Sequence, residues 1–293
     1  GPSTGVLSPN FFHPSAVSDQ VAYATSFVLF EGKMRALFAI LFGASMALFI
    51  DSAKARGRDG ELLQARRLMW LMLFGFLHYF LLWWGDILFA YAASGLVLLL
   101  VNRLPQSVLG LSATTIFSLH FATGFFPALP NVQAEEWARL GQASAVQWRV
   151  VSDLHSHFAT TTQQEMAQYT GGFWHILITK LTIHPYWLIY GAYDNFAEYF
   201  GLMTLGLILQ RKGFFAQAWP RSHLLRMGIG LTAAGLILTL AALTWLWQRD
   251  FPPIAMDTAI RFGLALPHLL IALGYAALLV FCTHRILGTT LGQ

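Results

Sequence analysis

Apolar runs close to twenty residues long recur along this chain, and nothing else in it constrains the fold as strongly. A helix of that length matches the hydrocarbon thickness of a bilayer. In hydrocarbon the backbone N–H and C=O groups have no water to bond, so they must pair within the segment, as they do in a helix. Seven stretches qualify, near 33–50, 68–84, 86–101, 108–129, 194–210, 224–247 and 258–282. An eighth, 173–190, is interrupted by His175, Lys180, His184 and Pro185.

Composition points the same way. Of 293 residues, 56% are hydrophobic and 11% charged, against about 25% charged in soluble domains, and mean hydropathy is +0.55. That excludes a cytosolic globular enzyme, a disordered chain and a disulfide-stapled secreted domain. Cys282, the single cysteine, permits no internal disulfide and no thiolate metal site. The expected fold is an all-α integral membrane protein, one membrane domain over 1–293, with about seven transmembrane helices plus an interfacial or re-entrant helix. No metal is predicted.

The basic residues predict the orientation. A net charge of +4 and a pI near 9.3 come without a groove-sized basic patch, so no nucleic-acid partner is expected. With the N-terminus outside, the inner segments are 51–67, 102–107, 211–223 and the C-terminal end. They hold Lys54, Arg56, Arg58, Arg66, Arg67, Arg103, Arg211, Lys212, Arg221, Arg226 and Arg285, which is 11 of the 18 Lys and Arg. Only Asp51, Asp59 and Glu61 of the 14 acidic residues join them, the asymmetry expected of a cytoplasmic face.

Counting 173–190 as a span would move Gln210-Arg211-Lys212 to the wrong side. Its Trp174, Tyr186, Trp187 and Tyr190 prefer headgroup depth, so it reads as interfacial. The polar stretch 130–172, with Glu135, Glu136, Asp153, His155, His157 and Glu165, then lies outside as short amphipathic helices. The expected location is the cell (inner) membrane, with the C-terminus cytoplasmic and the lipid bilayer, with or without other membrane subunits, as partner. The polar, proline-punctuated lead-in of 1–15 suits a protease scar or an internal part of something longer.

Ionisable groups at hydrocarbon depth cost roughly 2.5–3.5 kcal/mol each on insertion scales, so they need a partner or a water-filled cavity. Four clusters qualify. Glu31 and Arg35 are four apart and can pair on one helical face, with Lys33 pointing elsewhere; a charge belt of snorkelling side chains is the plainer alternative. His78 lies two turns before Asp86, and Gly85 breaks the chain between them. Asp86 reads as a cap for the next helix or as a site residue. His78 reads as an interhelical hydrogen-bonding residue or as a proton carrier near neutrality.

Asp257, Arg261 and His268 form the third cluster. On an uninterrupted helix His268 falls about 20° from Asp257, although Pro267 loosens that helix. In the fourth, Asp194 and Glu198 share a face beside Asn195, an arrangement that wants a cation, a proton or an arginine. All four fall toward the outer half, which predicts one polar cavity; interhelical ties are the alternative for the last two.

Other signals are weaker. His155-Ser156-His157 offers no third ligand at a fixed spacing, so solvated loop histidines are expected rather than zinc. Gly43-Ala44-Ser45 and Gly228-Ile229-Gly230 suit close helix packing. Lys54-Ala55-Arg56-Gly57-Arg58 reads as a topology signal, with the phosphates of coenzyme A as an alternative ligand. Glycine-rich phosphate loops, Gly-x-Ser-x-Gly elbows and His-Glu-x-x-His helices are absent from the sequence.

The strings FEGKMRALFAILFGASMALF (30–49), RRLMWLMLFGFLHYFLLWWGDILFAYAASGLVLLL (66–100) and FAEYFGLMTLGLILQRKGFF (196–215) resemble the bacterial YeiB-like family, domain of unknown function 418. The middle string is the most specific: Arg-Arg leads a span, followed by Gly-x-x-His, Gly-Asp-Ile-Leu and Tyr-Ala. The family's leading helix with an Asp-x-x-Arg-Gly start, and its later Gly-Arg-x-x-Leu-Thr-Asn-Tyr stretch, are not in the sequence, so the resemblance implies the middle of a longer protein.

The resemblance also implies a fold related to transmembrane acyltransferases, which pass an acyl group from cytoplasmic acyl-CoA to an acceptor across the membrane. It carries over Glu31, Arg35, His78 and Asp86 as site candidates. The leading expectation is therefore an acyltransferase-like protein using acyl-CoA as donor. His78 is the general base, Glu31 or Asp86 orients it, and Arg35 and Lys33 stabilise charge or hold an anionic group. Two rivals stand beside it. One is a carrier with a path lined by Asp194, Glu198, Arg261 and His268. The other is a non-catalytic subunit of a larger membrane complex, its 10 Trp and 24 Phe covering interfaces and lipid.

Overall fold

The structure, a computed structural model, describes residues 5, 7–9, 16–83, 85–183, 185–216 and 218–290, without side chains at 168, 169 and 284–290. Most of the lead-in, Trp84, His184 and the side chain of Arg285 lie outside the described residues. Among the described residues every regular element is helical. In chain order they are α1 (Val17–Leu29), α2 (Lys33–Ala55), α3 (Gly60–Leu81), α4 (Leu88–Val101), α5 (Gln106–Arg139) and α6 (Ala145–Tyr169). Then follow α7 (Phe173–Thr182), α8 (Trp187–Arg211), α9 (Arg221–Trp247), α10 (Pro253–Thr258), a π-helical turn (Ala259–Gly263) and α11 (Ala265–Thr290).

Among the described residues four stretches are long and apolar enough to cross a membrane: Val17–Ala55, Gln106–Arg139, Arg221–Trp247 and Ala265–Thr283. These suit a membrane protein, but they are four where the sequence led us to expect about seven. The difference falls on three helices. α4 has only 14 residues, α3 carries Arg66, Arg67 and His78, and α8 carries Asp194, Asn195 and Glu198. The polar stretch 130–172 also differs from the expected short helices. α5 continues through Pro127 and Pro130 to Arg139, and α6 is a single helix of 25 residues whose Ser144 and Gln147 cap its start reciprocally.

The chain divides into two compact units. The first comprises 1–33, 121–176 and 233–271. Its core gathers Phe27, Leu243, Leu246, Phe251, Met256 and Leu264. Lys33, wholly buried, donates from Nζ to the Phe27 carbonyl at 2.6 Å, satisfying one of the last acceptors of α1. Glu135 of α5 does the converse for α10: its carboxylate accepts the N–H groups of Ile254 and Ala255, at 3.1 and 2.9 Å. Its Oε1 also meets His155 Nε2 at 2.8 Å, so His155 is a helical residue with a partner rather than a solvated loop histidine.

The second unit comprises 34–120, 177–232 and 272–293, and it holds α4 packed between α3 and α8. Within it α2 and α8 cross with backbones in contact. A Cβ on Gly43 would lie 1.8 Å from the Met203 carbonyl oxygen, and one on Gly206 would lie 1.8 Å from that of Ile40. The small-residue reading of Gly43 is thus explained, and Gly228 likewise abuts Leu278. Gly230 has open space around it and needs another reason. Lys180 of α7 is buried and donates to the Tyr79 carbonyl at 2.5 Å, bracing the end of α3 as Lys33 braces α1.

At the other end of α3, Glu61 receives Lys54 at 2.8 Å and the Arg103 guanidinium, tying α2, α3 and the end of α4. Those hydrogen bonds, that of Arg103 foremost, hold its carboxyl down at about 2. Arg56 and Gly57 of the basic stretch are used locally, Arg56 on Ser52 and Gly57 for its left-handed backbone at φ 69°.

Two outcomes follow. Valine at Gly43 or Gly206 forces the α2–α8 crossing apart and lowers stability by about 1–3 kcal/mol or more, read as a fall in unfolding temperature in detergent. For Glu61→Gln, the small loss of stability relative to wild type is full above the ordinary carboxylate value of 4.5. It shrinks as pH falls toward about 2, because the ionised Glu61 that makes the difference is then protonated.

Candidate functional site

α3 ends where the N–H groups of Leu82 and Trp83 both donate to the His78 carbonyl at 2.9 Å. After Gly85 the chain turns into α4, and the Asp86 carboxylate secures that start: its Oδ2 accepts the Phe89 N–H at 2.8 Å. Its Oδ1 lies 3.0 Å from His78 Nδ1. One oxygen of Asp86 thus serves the start of α4, as the cap reading expects, and the other meets His78. The Asp86 side chain is fully enclosed while that of His78 is 32% exposed.

Gly75, one turn before His78, explains the spacing of the motif. A Cβ there would meet the Phe89 nitrogen at 2.4 Å and Asp86 Oδ2 at 2.9 Å. Only glycine lets the first turn of α4 come this close to α3, and that approach brings Asp86 within reach of His78.

Arg35, expected to pair with Glu31, instead places its Nη2 3.2 Å from Glu198 Oε2. Glu31 sits in the turn between α1 and α2 rather than on a shared helical face with Arg35, and its electrostatic neighbours are Lys33 and Tyr23. The arginine wanted by the Asp194/Glu198 pair is thus supplied by α2. Tyr91 steadies this corner, its hydroxyl donating to the Arg35 carbonyl at 2.9 Å and its ring meeting Tyr199 edge-on at 4.6 Å.

A cavity of about 420 Å³ opens in the second unit beside these groups, within the range of small-ligand sites. Its wall includes Arg35 and Asp86, then Asp194 and Asn195 of α8. Aromatic residues Trp187, Tyr190, Tyr193 and Tyr199 complete much of the rest. The sequence singled out Trp187 and Tyr190 for headgroup depth, not for a cavity. Tyr91, Tyr193 and Tyr199 carried no signal beyond being aromatic in apolar runs.

The remaining candidates are placed elsewhere. Lys33 is a buried helix brace, which corrects its expected role in holding an anionic group. Asp257, Arg261 and His268 fall on α10, the π-turn and α11, so directions counted on one continuous α-helix do not apply to them. His268 is buried, its ring against Gly32, where φ is 72° and a Cβ would sit 2.2 Å from the imidazole. With Glu31 and Lys33, these residues belong to the first unit, whereas Arg35, His78, Asp86 and Glu198 belong to the second. Among the described residues no group of three or more His, Cys, Asp or Glu is arranged to hold a metal ion.

The chain is similar to YeiB, an uncharacterized protein of Escherichia coli K12, with 28% identity over 252 residues, which is 85% of this chain and 60% of YeiB. It is also similar to YxaH, an uncharacterized protein of Bacillus subtilis strain 168, at 36% over 103 residues, 35% of this chain and 26% of YxaH. A third relative, an uncharacterized 39.9 kDa protein in the amylase 3′ region of Bacillus acidopullulyticus, is 33% identical over 126 residues, 42% of this chain and 34% of that one. The chain thus spans at most 60% of the length of these curated relatives. No family model matches it, and neither does any solved structure.

Removing Arg35 strands the largely buried Glu198, whose side chain is 10% exposed. Arg35→Met is expected to cost about 2–4 kcal/mol, and Arg35→Met with Glu198→Met to recover most of it, because the stranded charge goes too. Thermal unfolding of the two variants in detergent measures the difference.

Proposed function

We propose that this chain is a membrane-embedded acyltransferase-like protein of the YeiB-like family, domain of unknown function 418. In this reading α3, α4 and α8 also cross the bilayer, giving about seven spans with the N-terminus of the chain outside. The donor is cytoplasmic acyl-CoA and the acceptor a hydroxyl or amine. The observation that carries the proposal is the His78–Asp86 pair, 3.0 Å apart, whose Asp86 is one of the residues lining a polar and aromatic cavity.

Asp86, held by the start of α4, accepts the Nδ1–H of His78 and so fixes the tautomer that leaves Nε2 as a base. Nε2 takes the proton of the acceptor as its oxygen or nitrogen attacks the thioester carbonyl carbon. The tetrahedral adduct collapses with cleavage of the C–S bond, and the proton returns from His78 to the departing CoA sulfur. Arg35, steadied by Glu198, contributes positive charge to the cavity wall where the carbonyl oxygen gains its negative charge. Asp86 replaces Glu31 as the orienting carboxylate, and Lys33 has no part in the chemistry.

One observation favours the carrier reading. The stretch that holds Asp257, Arg261 and His268 is interrupted by a π-turn immediately before α11, the kind of broken helix found at transport sites. Flux of a solute into proteoliposomes without CoA is the result that reading requires.

The test of the proposal is CoA release from acetyl-CoA and longer acyl-CoAs by the full chain in liposomes. His78→Ala is expected to lower release about 100-fold or more with the unfolding temperature retained. An unchanged rate removes the role given to His78.

A further inference from the structure

The cavity wall is biased in charge and in kind. Asp86 and Asp194 are acidic, and Arg35 is its single Lys or Arg. That guanidinium is itself engaged by Glu198 at 3.2 Å, so the balance around the cavity is negative. An anionic ligand meets this field at a cost, whereas a cation is drawn to it. Four aromatic residues, Trp187, Tyr190, Tyr193 and Tyr199, share the wall with Asp194, while the enclosed Asp86 carboxylate acts on the cavity through its charge alone. Tyr193 and Tyr190 are 83% and 66% exposed, so their rings are accessible to a ligand rather than consumed in packing.

The start of α8 supplies most of the wall, since Trp187, Leu188 and every residue from Tyr190 to Asn195 line the cavity. Gly191 has no atom within 4 Å of the position a Cβ would take, so it leaves space there instead of serving a close helix contact. Aromatic residues lining a space beside a carboxylate, here Asp194, are the recognition chemistry of ammonium groups: the ring quadrupoles and the negative charge attract the same cation.

We propose that this cavity binds a cationic amine or quaternary ammonium group, carried by a small soluble molecule or by a lipid headgroup. The inference deepens the proposed function, since it names the recognised group of the acceptor, and it rests on that reading only for the word acceptor. The binding itself requires no transfer chemistry.

The experiment titrates choline, ethanolamine and the neutral choline isostere 3,3-dimethylbutan-1-ol against the full chain in phosphatidylglycerol nanodiscs, read by saturation-transfer NMR. Saturable binding of choline or ethanolamine, at least tenfold tighter than the isostere, is expected. Asp194→Asn should weaken it tenfold or more. Gly191→Leu, which fills open space without a clash, should abolish it at an unchanged unfolding temperature. Repeating the titration in phosphatidylethanolamine nanodiscs separates the sources: competition by the lipid assigns the site to a headgroup, and unchanged binding assigns it to a soluble amine.

Equal binding of the neutral isostere, or no saturable binding of either amine, overturns the inference. CoA release without ammonium binding leaves the proposed function standing and this inference fallen. Ammonium binding without CoA release does the reverse.

Discussion

One enclosed carboxylate organises the candidate site. Asp86 gives one oxygen to the backbone of Phe89 and the other to His78, so the beginning of α4 and the orientation of the imidazole are fixed by the same group. A carboxylate without exposure is tolerated only where its hydrogen-bonding capacity is used. Gly75 makes this possible by letting α4 start against α3. The wall of the cavity then follows from where α4 begins, and from α8, which packs on the other side of α4.

A second theme is the treatment of charge. Lys33 and Lys180 are both buried, and each spends its ammonium on a carbonyl near the C-terminal end of a helix, α1 and α3 respectively. Each also lies near the ring of the residue whose carbonyl it takes, 5.4 Å from the Phe27 centroid and 5.1 Å from that of Tyr79. The aliphatic stem is buried with the aromatic ring while the charged end meets the negative pole of the helix. Such lysines are structural. Arg35 is different because its partner is a side chain on another helix and its own side chain retains 34% exposure at the cavity.

Much of this was legible in the sequence because it is local. The Gly75–His78 and Gly85–Asp86 spacings announced a helix end, a break and a cap, and α3 does end at Leu81 before α4 starts at Leu88. Gly43 announced a close crossing. What was not legible depended on partners far along the chain. The i, i+4 rule paired Arg35 with Glu31, but the rule needs both residues in one helix, and the turn after α1 ends before Lys33. Glu198, 163 positions away, takes the arginine instead. The Asp257–His268 wheel failed because five residues of π-helix change the angle per residue. Composition could not show that Trp187, Tyr190 and Tyr193 share a cavity with Asp86, since aromatic residues near an interface look alike in sequence.

The proposed chemistry depends on Asp86 fixing one tautomer of His78, with the proton on Nδ1 and a lone pair on Nε2. Nitrogen-15 NMR of histidine-labelled protein reads this directly, the His78 signals being identified by their loss in His78→Gln. Neutral His78 in wild type should show Nδ1 protonated and Nε2 bare, and Asp86→Asn should shift it toward the opposite tautomer or a mixture. The same tautomer in both proteins would mean that Asp86 does not set the state of His78, and the site would have to be rebuilt around another group.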